Sequence, residues 1–173
     1  FARSGMELRK KFVLSDKFVV FYHGEFSQNR SIKEAVSAIS ITKDKHPNIV
    51  LFLLGKGPIT DNLKQIIRKK EIQSNVILHD AVDYTDVPKY IAMSDVGIVP
   101  LPNSLYWRYQ CPSKLLEYLA MKKVVLVTDI PAHREIIGEK KCGIYISSTE
   151  PIEIARAMMY AYDNKEKLKE WAE

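Results

Sequence analysis

Side chains that could bind a charged ligand are concentrated in QCPSKLLEYLA, residues 110–120, where a loop leads into a predicted helix. Ser113, Lys114 and Glu117 lie near one another there, because residues three and four apart are neighbours on a helix surface. A lysine and the free backbone N–H groups of a helix start favour phosphate oxygens, and a carboxylate accepts hydrogen bonds from paired sugar hydroxyls. The simpler interpretation is a solvent-exposed Lys–Glu pair, which contributes roughly a few tenths of a kcal/mol.

The same helix must also have a packing face. Pro112 suits the first helical position, where its missing N–H costs nothing. The spacing of apolar residues predicts that the buried side consists of Leu115, Leu116, Leu119 and Ala120. This leaves Lys114 and Glu117 on an exposed face.

A second group of candidate residues follows the first predicted strand, in HGEFSQNRS, residues 23–31. Gly24 allows close approach of another backbone or a ligand, and Arg30 precedes a helix whose free N–H groups favour an anion. These residues are compatible with a phosphate site. They are equally compatible with a turn glycine and a surface arginine.

Signatures of other chemistries are missing or weak. The GKGP segment, residues 55–58, has two of the three glycines of a dinucleotide-binding fingerprint, and no GxxxxGK[ST] segment is present. His79, Asp80 and Asp83 form only an isolated HDxxD spacing, and no serine or cysteine is paired convincingly with a histidine. We therefore predict no metal ion, no cofactor and no nucleophilic side chain.

Apolar runs alternate with helical repeats along the chain, and these elements must position the candidate residues. Six alternating strands and helices predict a doubly wound α/β fold with a six-stranded parallel sheet, that is, a Rossmann-like domain. Ligands of such sheets bind beyond the carboxyl ends of the strands. The predicted strands are FVVFYHG (18–24), NIVLFLLG (48–55), VILH (76–79), VGIVPL (96–101), VVLVT (124–128) and GIYIS (143–147).

Length and composition bound the class of protein. The 173 residues, 46% of them hydrophobic, predict one domain over residues 1–173, with residues 1–17 as an interdomain linker or a leading helix. The net charge of +5 comes from lysines clustered at helix ends, without the interleaved aromatics that nucleic-acid binding favours. No apolar run reaches the roughly 20 residues of a membrane span. Two cysteines without CxxC spacing favour the cytoplasm, and peripheral membrane association stays open.

From Phe18 onward the chain resembles the C-terminal, donor-binding half of the group-one glycosyltransferases, which are retaining transferases built as two facing Rossmann-like domains. The resemblance implies transfer of a sugar of the hexosyl type from a nucleotide sugar to a glycan, lipid or other acceptor. The acceptor would bind an N-terminal domain absent from this chain, so the isolated domain is expected to be inactive. The resemblance is carried by FYHG, NRSI, LLGKGP, VILHDAVDYTDVPKYIAMSDVGIVPL, PSKLLEYLAMKKVVLVTDIPAHREII and CGIYI, in that order.

The resemblance also implies roles for individual residues. It assigns the ribose of the donor to Glu117 and the donor diphosphate to Gly24, Arg30, Ser113 and Lys114. It places the nucleobase near His79, Asp80, Ala81 and Val82, and the transferred sugar near Tyr109, Gln110 and Cys111.

Two positions depart from the family pattern. Glu25 stands where an arginine usually follows the glycine of the first strand, and Tyr109 stands where a second glutamate is usual. These departures leave a non-catalytic nucleotide-sugar-binding module as an alternative. One half of a nucleotide-sugar epimerase is another.

Overall fold

A six-stranded parallel sheet forms the centre of the computed structural model, which describes residues 1–173. The strand order is β3-β2-β1-β4-β5-β6. Every predicted strand is present, and the prediction of a doubly wound, Rossmann-like α/β fold is confirmed. The strands are β1 (Phe18–His23), β2 (Ile49–Leu54), β3 (Val76–His79), β4 (Val96–Val99), β5 (Val124–Thr128) and β6 (Gly143–Ile146).

Helices connect the strands and cover both faces of the sheet. Short 3-10 turns occupy Gln28–Arg30, Tyr84–Asp86 and Lys165–Lys167. None of the helices has the length and apolarity that are needed to cross a bilayer. The helices are α1 (Ala2–Lys11), α2 (Ile32–Thr42), α3 (Thr60–Lys69), α4 (Val87–Met93), α5 (Ser113–Ala120), α6 (Pro131–Ile137), α7 (Pro151–Asp163) and α8 (Leu168–Trp171).

The core lies in two layers, because successive side chains of a strand point to opposite faces of the sheet. Val20 and Tyr22 of β1 pack in the layer under α2, α3 and α7. Val19 and Phe21 pack in the other layer, under α4, α5 and α6. Burial on both faces explains why the strands read as continuous apolar runs in the sequence.

Helix α1 is fixed to the second face of the sheet by a charged side chain. The Arg9 Nε atom donates a hydrogen bond to the Met93 carbonyl at 2.7 Å, and its Nη2 atom pairs with the Asp95 carboxylate. The same Asp95 oxygen accepts a hydrogen bond from the Val19 backbone N–H at 2.6 Å. Residues 1–17 thus contain a helix that packs on the domain.

The sheet has one topological switch point, between β1 and β4. The chain builds outward from β1 through β2 to β3, then returns to the other side of β1 and continues from β4 to β6. The connections after β1 and β4 therefore diverge and leave a crevice between them at the carboxyl edge, which is where open α/β sheets bind ligands. Residues 24–31 and 100–112 form these two connections.

Candidate functional site

Helix α5 turns a different face to the sheet from the one its sequence predicts. Lys114, Leu115 and Tyr118 are buried, whereas Leu116 is 51% exposed and Ala120 is exposed. The predictions of an exposed Lys114 and of buried Leu116 and Ala120 were wrong.

Tyr118 determines this rotation of α5. Its ring covers Gly97 of β4, where a Cβ atom would lie 2.6 Å from the nearest ring carbons. Its hydroxyl donates a hydrogen bond to the Phe21 carbonyl at 2.9 Å. The helix begins at Ser113, so Pro112 precedes the first turn instead of opening it as predicted. The tyrosine anchor turns Lys114 inward toward β1.

The amine of Lys114 lies at the carboxyl end of β1. Its Nζ atom is 3.4 Å from the Tyr22 hydroxyl and 4.6 Å from the centroid of the Tyr22 ring. A Cβ atom placed at Gly24 would lie 3.3 Å from Nζ, so the amine stands directly beside this glycine. Burial, and then the nearby charge of Arg30, lowers the pKa of Lys114 to about 7.

Arg30 is held by both connections that border the crevice. Its Nε atom donates to Ser27 Oγ at 3.2 Å, and Nη2 lies 3.7 Å from a carboxylate oxygen of Glu25. Its guanidinium carbon lies 5.0 Å from the ring centroid of Trp107, and the indole N–H donates to the Asn29 carbonyl at 2.7 Å. Trp107 therefore fixes the β1 connection to the β4 connection.

Glu117, one turn beyond Lys114, faces neutral groups. Its Oε2 atom lies 3.3 Å from His23 Nε2, although the two atoms lack hydrogen-bond alignment, and Oε1 accepts a hydrogen bond from the Tyr84 hydroxyl at 3.5 Å. Burial, and then the charge of Lys114, lowers the pKa of His23 to about 4, so the imidazole is neutral at neutral pH. No Lys114–Glu117 ion pair within 4.0 Å forms, contrary to the simpler interpretation of the sequence.

A cavity of about 340 Å³ opens between the ends of β1, β2 and β3. Tyr84 is at its rim, with 74% of its surface exposed. Sequence reasoning missed this residue; an aromatic in the loop that follows the third strand, in DYTD, was the available signal. The cavity is lined by His23, Gly24, Glu25, Leu54, Gly55, Lys56, Ala81, Val82, Tyr84 and Val87.

The residues predicted to lie near a nucleobase separate into two groups. Ala81 and Val82 line the cavity, while His79 and Asp80 do not. The imidazole of His79 packs against Phe52, with 5.9 Å between ring centroids, and its Nδ1 atom bonds to the Asp80 carbonyl. His79 therefore supports the loop from below.

The residues predicted to lie near the transferred sugar are in the connection that leads into α5. Tyr109 is 74% exposed, and Gln110 and Cys111 are also exposed. Ser113, which was predicted to lie near the diphosphate, is exposed at the first position of α5. None of these side chains hydrogen-bonds to Lys114 or lines the cavity.

A larger cavity, about 580 Å³, lies elsewhere, between the start of β6 and the chain around α8. It is lined in part by Tyr145, Tyr160, Lys167 and Trp171. Its position at the amino end of a strand, far from the switch point, separates it from the crevice.

The fold and the crevice define the class of doubly wound α/β domains whose ligand site is at a topological switch point. More particularly, the chain belongs to the glycosyl transferases group 1 family, whose model matches residues 6–173.

Individual relatives agree with this assignment. The chain is 24% identical over 151 residues to EpsD of Bacillus subtilis, whose name places it among the glycosyltransferases. This alignment covers 87% of this chain and 38% of EpsD. The crystal structure of Anabaena Alr3699/HepE in complex with UDP and glucose matches 98% of this chain and 45% of its own, with a TM-score of 0.81 and 16% identity.

A third relative matches over most of both chains. The crystallised C-terminal domain of a group 1 glycosyl transferase, LpcC of Francisella tularensis, matches 98% of this chain and 87% of its own, with a TM-score of 0.79 and 16% identity. This chain therefore has the fold of that crystallised domain over nearly its whole length, and it spans 21–42% of the length of the curated relatives that it matches.

Proposed function

We propose that this domain binds the nucleoside diphosphate sugar of a retaining glycosyltransferase. The observation that carries the proposal is the direction of two side chains from consecutive turns of α5. The Lys114 amine stands beside Gly24, and the Glu117 carboxylate lies next to His23 of the cavity wall. One helix thereby presents a cation for a diphosphate and an acceptor for sugar hydroxyls.

The diphosphate would lie over Gly24, between Arg30, Ser113 and Lys114. Gly24 has a φ of 121° and no side chain, so the ligand can approach the backbone closely. When the bond between the sugar and the diphosphate breaks, the departing oxygen gains negative charge. Cations already fixed at this position, such as Arg30 above Trp107, stabilise that charge more than the ground state and so accelerate the transfer.

The ribose would hydrogen-bond to Glu117, whose carboxylate is not paired with a cation. The nucleobase would occupy the cavity above Ala81 and Val82, with Tyr84 at the rim. His79 and Asp80 would then act only by fixing the position of the loop that carries Ala81 and Val82. The transferred sugar would extend toward Tyr109, Gln110 and Cys111.

The remaining features of the proposal concern the complete protein. Arg30 and Lys114 would supply the positive charge for the diphosphate, so binding requires no metal ion. A glycan or lipid acceptor would bind a second domain, with the enzyme in the cytoplasm or peripherally at its membrane. This domain alone would bind the donor without transferring a hexose.

Calorimetric titration with UDP, GDP and ADP tests the proposal. We expect saturable binding of one nucleotide, weakened at least about tenfold by Glu117→Gln because a charge-assisted hydrogen bond is lost. Glu166→Gln, at an exposed glutamate outside the crevice, is the matched control and should bind as the parent does. If neither the domain nor the full-length protein binds any of the three at millimolar concentration, the proposal is wrong.

Activity assays of the full-length protein separate the alternatives. A full-length protein that binds the donor but transfers no sugar to any acceptor would be a non-catalytic binding module, a reading that Glu25 and Tyr109 motivate. A full-length protein that interconverts nucleotide sugars would be an epimerase.

A further inference from the structure

The amine of Lys114 has almost no access to water and no counter-ion. Lys114 is 6% exposed, and no carboxylate lies within 4.0 Å of Nζ. Its hydrogen-bond partner is the Tyr22 hydroxyl, which itself donates to the Glu25 carbonyl at 2.9 Å and therefore accepts from the amine. A neutral hydroxyl compensates poorly for burying a charge, since buried charges ordinarily require an ionic partner.

The groups that face Lys114 from the β1 connection do not supply that partner. The positive charge of Arg30 repels a protonated amine. The carboxylate of Glu25 is directed to Arg30, at 3.7 Å, and its side chain is 59% exposed, so its attraction for Lys114 is screened by solvent.

The groups that face Lys114 from its own helix and from the end of β1 do not supply it either. Glu117 attracts the amine from beyond ion-pair distance, and its carboxylate lies against His23. His23 is neutral above its pKa of about 4. Burial raises the pKa of Tyr22, so its hydroxyl carries no negative charge at neutral pH.

We propose that Lys114 takes up a proton when a diphosphate occupies the crevice, so that donor binding and protonation of this one side chain are linked. The inference rests on the proposed function of the crevice. A proton from solvent converts the amine to an ammonium group, which then donates hydrogen bonds to the phosphate oxygens. The diphosphate supplies the negative partner that the free domain lacks, and a nearby opposite charge favours the charged form.

This linkage gives the affinity a defined dependence on pH. In the free domain Lys114 has a pKa of about 7, so above that pH a growing share of the amines is neutral. Each binding event then requires one proton, and the association constant falls by up to about tenfold per pH unit until the bound amine also loses its proton. His23 does not contribute in this range, because it titrates near pH 4.

Calorimetry with UDP-glucose tests the inference, because its phosphodiester groups do not titrate near neutral pH, unlike the terminal phosphate of UDP. At about pH 8 the binding heat is measured in buffers of different ionisation enthalpy, which yields the number of protons taken up. We expect uptake approaching one proton per UDP-glucose, and affinity about tenfold weaker near pH 9 than near pH 8.

Two variants of Lys114 and one control sharpen this test. Lys114→Arg carries a permanent charge, so it should bind without proton uptake and independently of pH. Lys114→Met should bind weakly and also without uptake. The control Lys167→Arg, at an exposed lysine remote from the crevice, should keep the parent's uptake.

The outcomes separate the two proposals. Binding of UDP-glucose with no buffer-dependent heat and no pH dependence would overturn the inference and leave the proposed function intact. If the full-length protein binds none of UDP-glucose, GDP-glucose and ADP-glucose at any pH, both proposals are overturned.

Discussion

His23 and Glu117 face each other across the carboxyl end of β1, with 3.3 Å between Nε2 and Oε2. The imidazole is neutral at neutral pH because burial and the charge of Lys114 lower its pKa to about 4. A protonated His23 would form an ion pair with Glu117 and compete with any sugar hydroxyl. Burial of the imidazole therefore keeps the carboxylate available as a hydrogen-bond acceptor.

The first prediction is a loss of stability in acid that originates at His23. Its pKa falls from an ordinary 6.5 to about 4 on folding, so between these values the unfolded chain binds a proton that the folded chain does not. The free energy of unfolding should therefore decrease as the pH falls through this window, by up to about 3 kcal/mol. Urea unfolding of the parent and of His23→Gln over this range measures the difference. His46→Gln, at a partly exposed histidine, is the control. If the free energy of unfolding has the same pH dependence in the parent and in His23→Gln, the prediction is wrong.

The second prediction concerns Trp107 as a positioning residue for Arg30. Trp107→Phe keeps an aromatic surface for the guanidinium but removes the hydrogen bond to the Asn29 carbonyl. Without this hydrogen bond, Arg30 should lose roughly 1 kcal/mol of the stabilisation that fixes its position, and UDP should bind about fivefold more weakly. Calorimetry measures this effect, and Trp171→Phe serves as the control. An unchanged affinity for UDP in Trp107→Phe would show that Arg30 does not depend on the indole.

The third prediction concerns the backbone contact under the crevice. A Cβ atom at Gly55 would lie 2.0 Å from the Gly24 carbonyl oxygen, and Gly55 has a φ of 148°. Gly55→Ala should therefore cost at least about 3 kcal/mol of stability or abolish folding, because two backbone loops would have to separate.

Gly138→Ala is the matched control for this change. Gly138 also has a positive φ, 60°, but the nearest atom to its Cβ position is 4.0 Å away. Gly138→Ala should cost about 1–3 kcal/mol, from backbone strain without a clash. Equal losses in the two variants, measured by urea unfolding, would show that the contact between the loops is unimportant.

The fourth prediction concerns the bond between helix α1 and the sheet. Asp95 accepts from both Arg9 and the Val19 N–H, so Asp95→Asn should destabilise the domain by about 1–3 kcal/mol. Asp61→Asn removes an exposed pair with Lys64 and should change stability by less than about 0.5 kcal/mol. A double-mutant cycle with Arg9→Met isolates the coupling between Arg9 and Asp95. A coupling free energy near zero would contradict the prediction.

The strands were predictable because both faces of the sheet are covered. A buried parallel strand such as β2, Ile49–Leu54, is apolar at every position, so its location is evident from local composition alone. The crevice was predictable for a related reason. The carboxyl ends of parallel strands share one edge, which places Gly24 and the start of α5 together without knowledge of any side chain.

The rotation of α5 was not predictable from its own residues. Leu115 and Leu116 are equally apolar, and the choice between them depends on Tyr118 fitting over Gly97, a contact between distant segments of the chain. The same long-range contact buries Lys114, which its charge alone would leave in water. Local pattern therefore suggested candidate residues but could not predict their environments.

Because Arg30 contacts Trp107, ligand binding in the crevice can be detected through the intrinsic fluorescence of this tryptophan. The chain has two tryptophans, and they pack in different core layers: Trp107 is buried in the layer under α5, whereas Trp171 packs against the other layer and lines the cavity near α8. A ligand that draws the guanidinium away from the indole changes the emission of Trp107 and leaves that of Trp171 constant. Occupancy of the crevice can thus be followed by intrinsic fluorescence, with the second indole as an internal reference and without an attached dye.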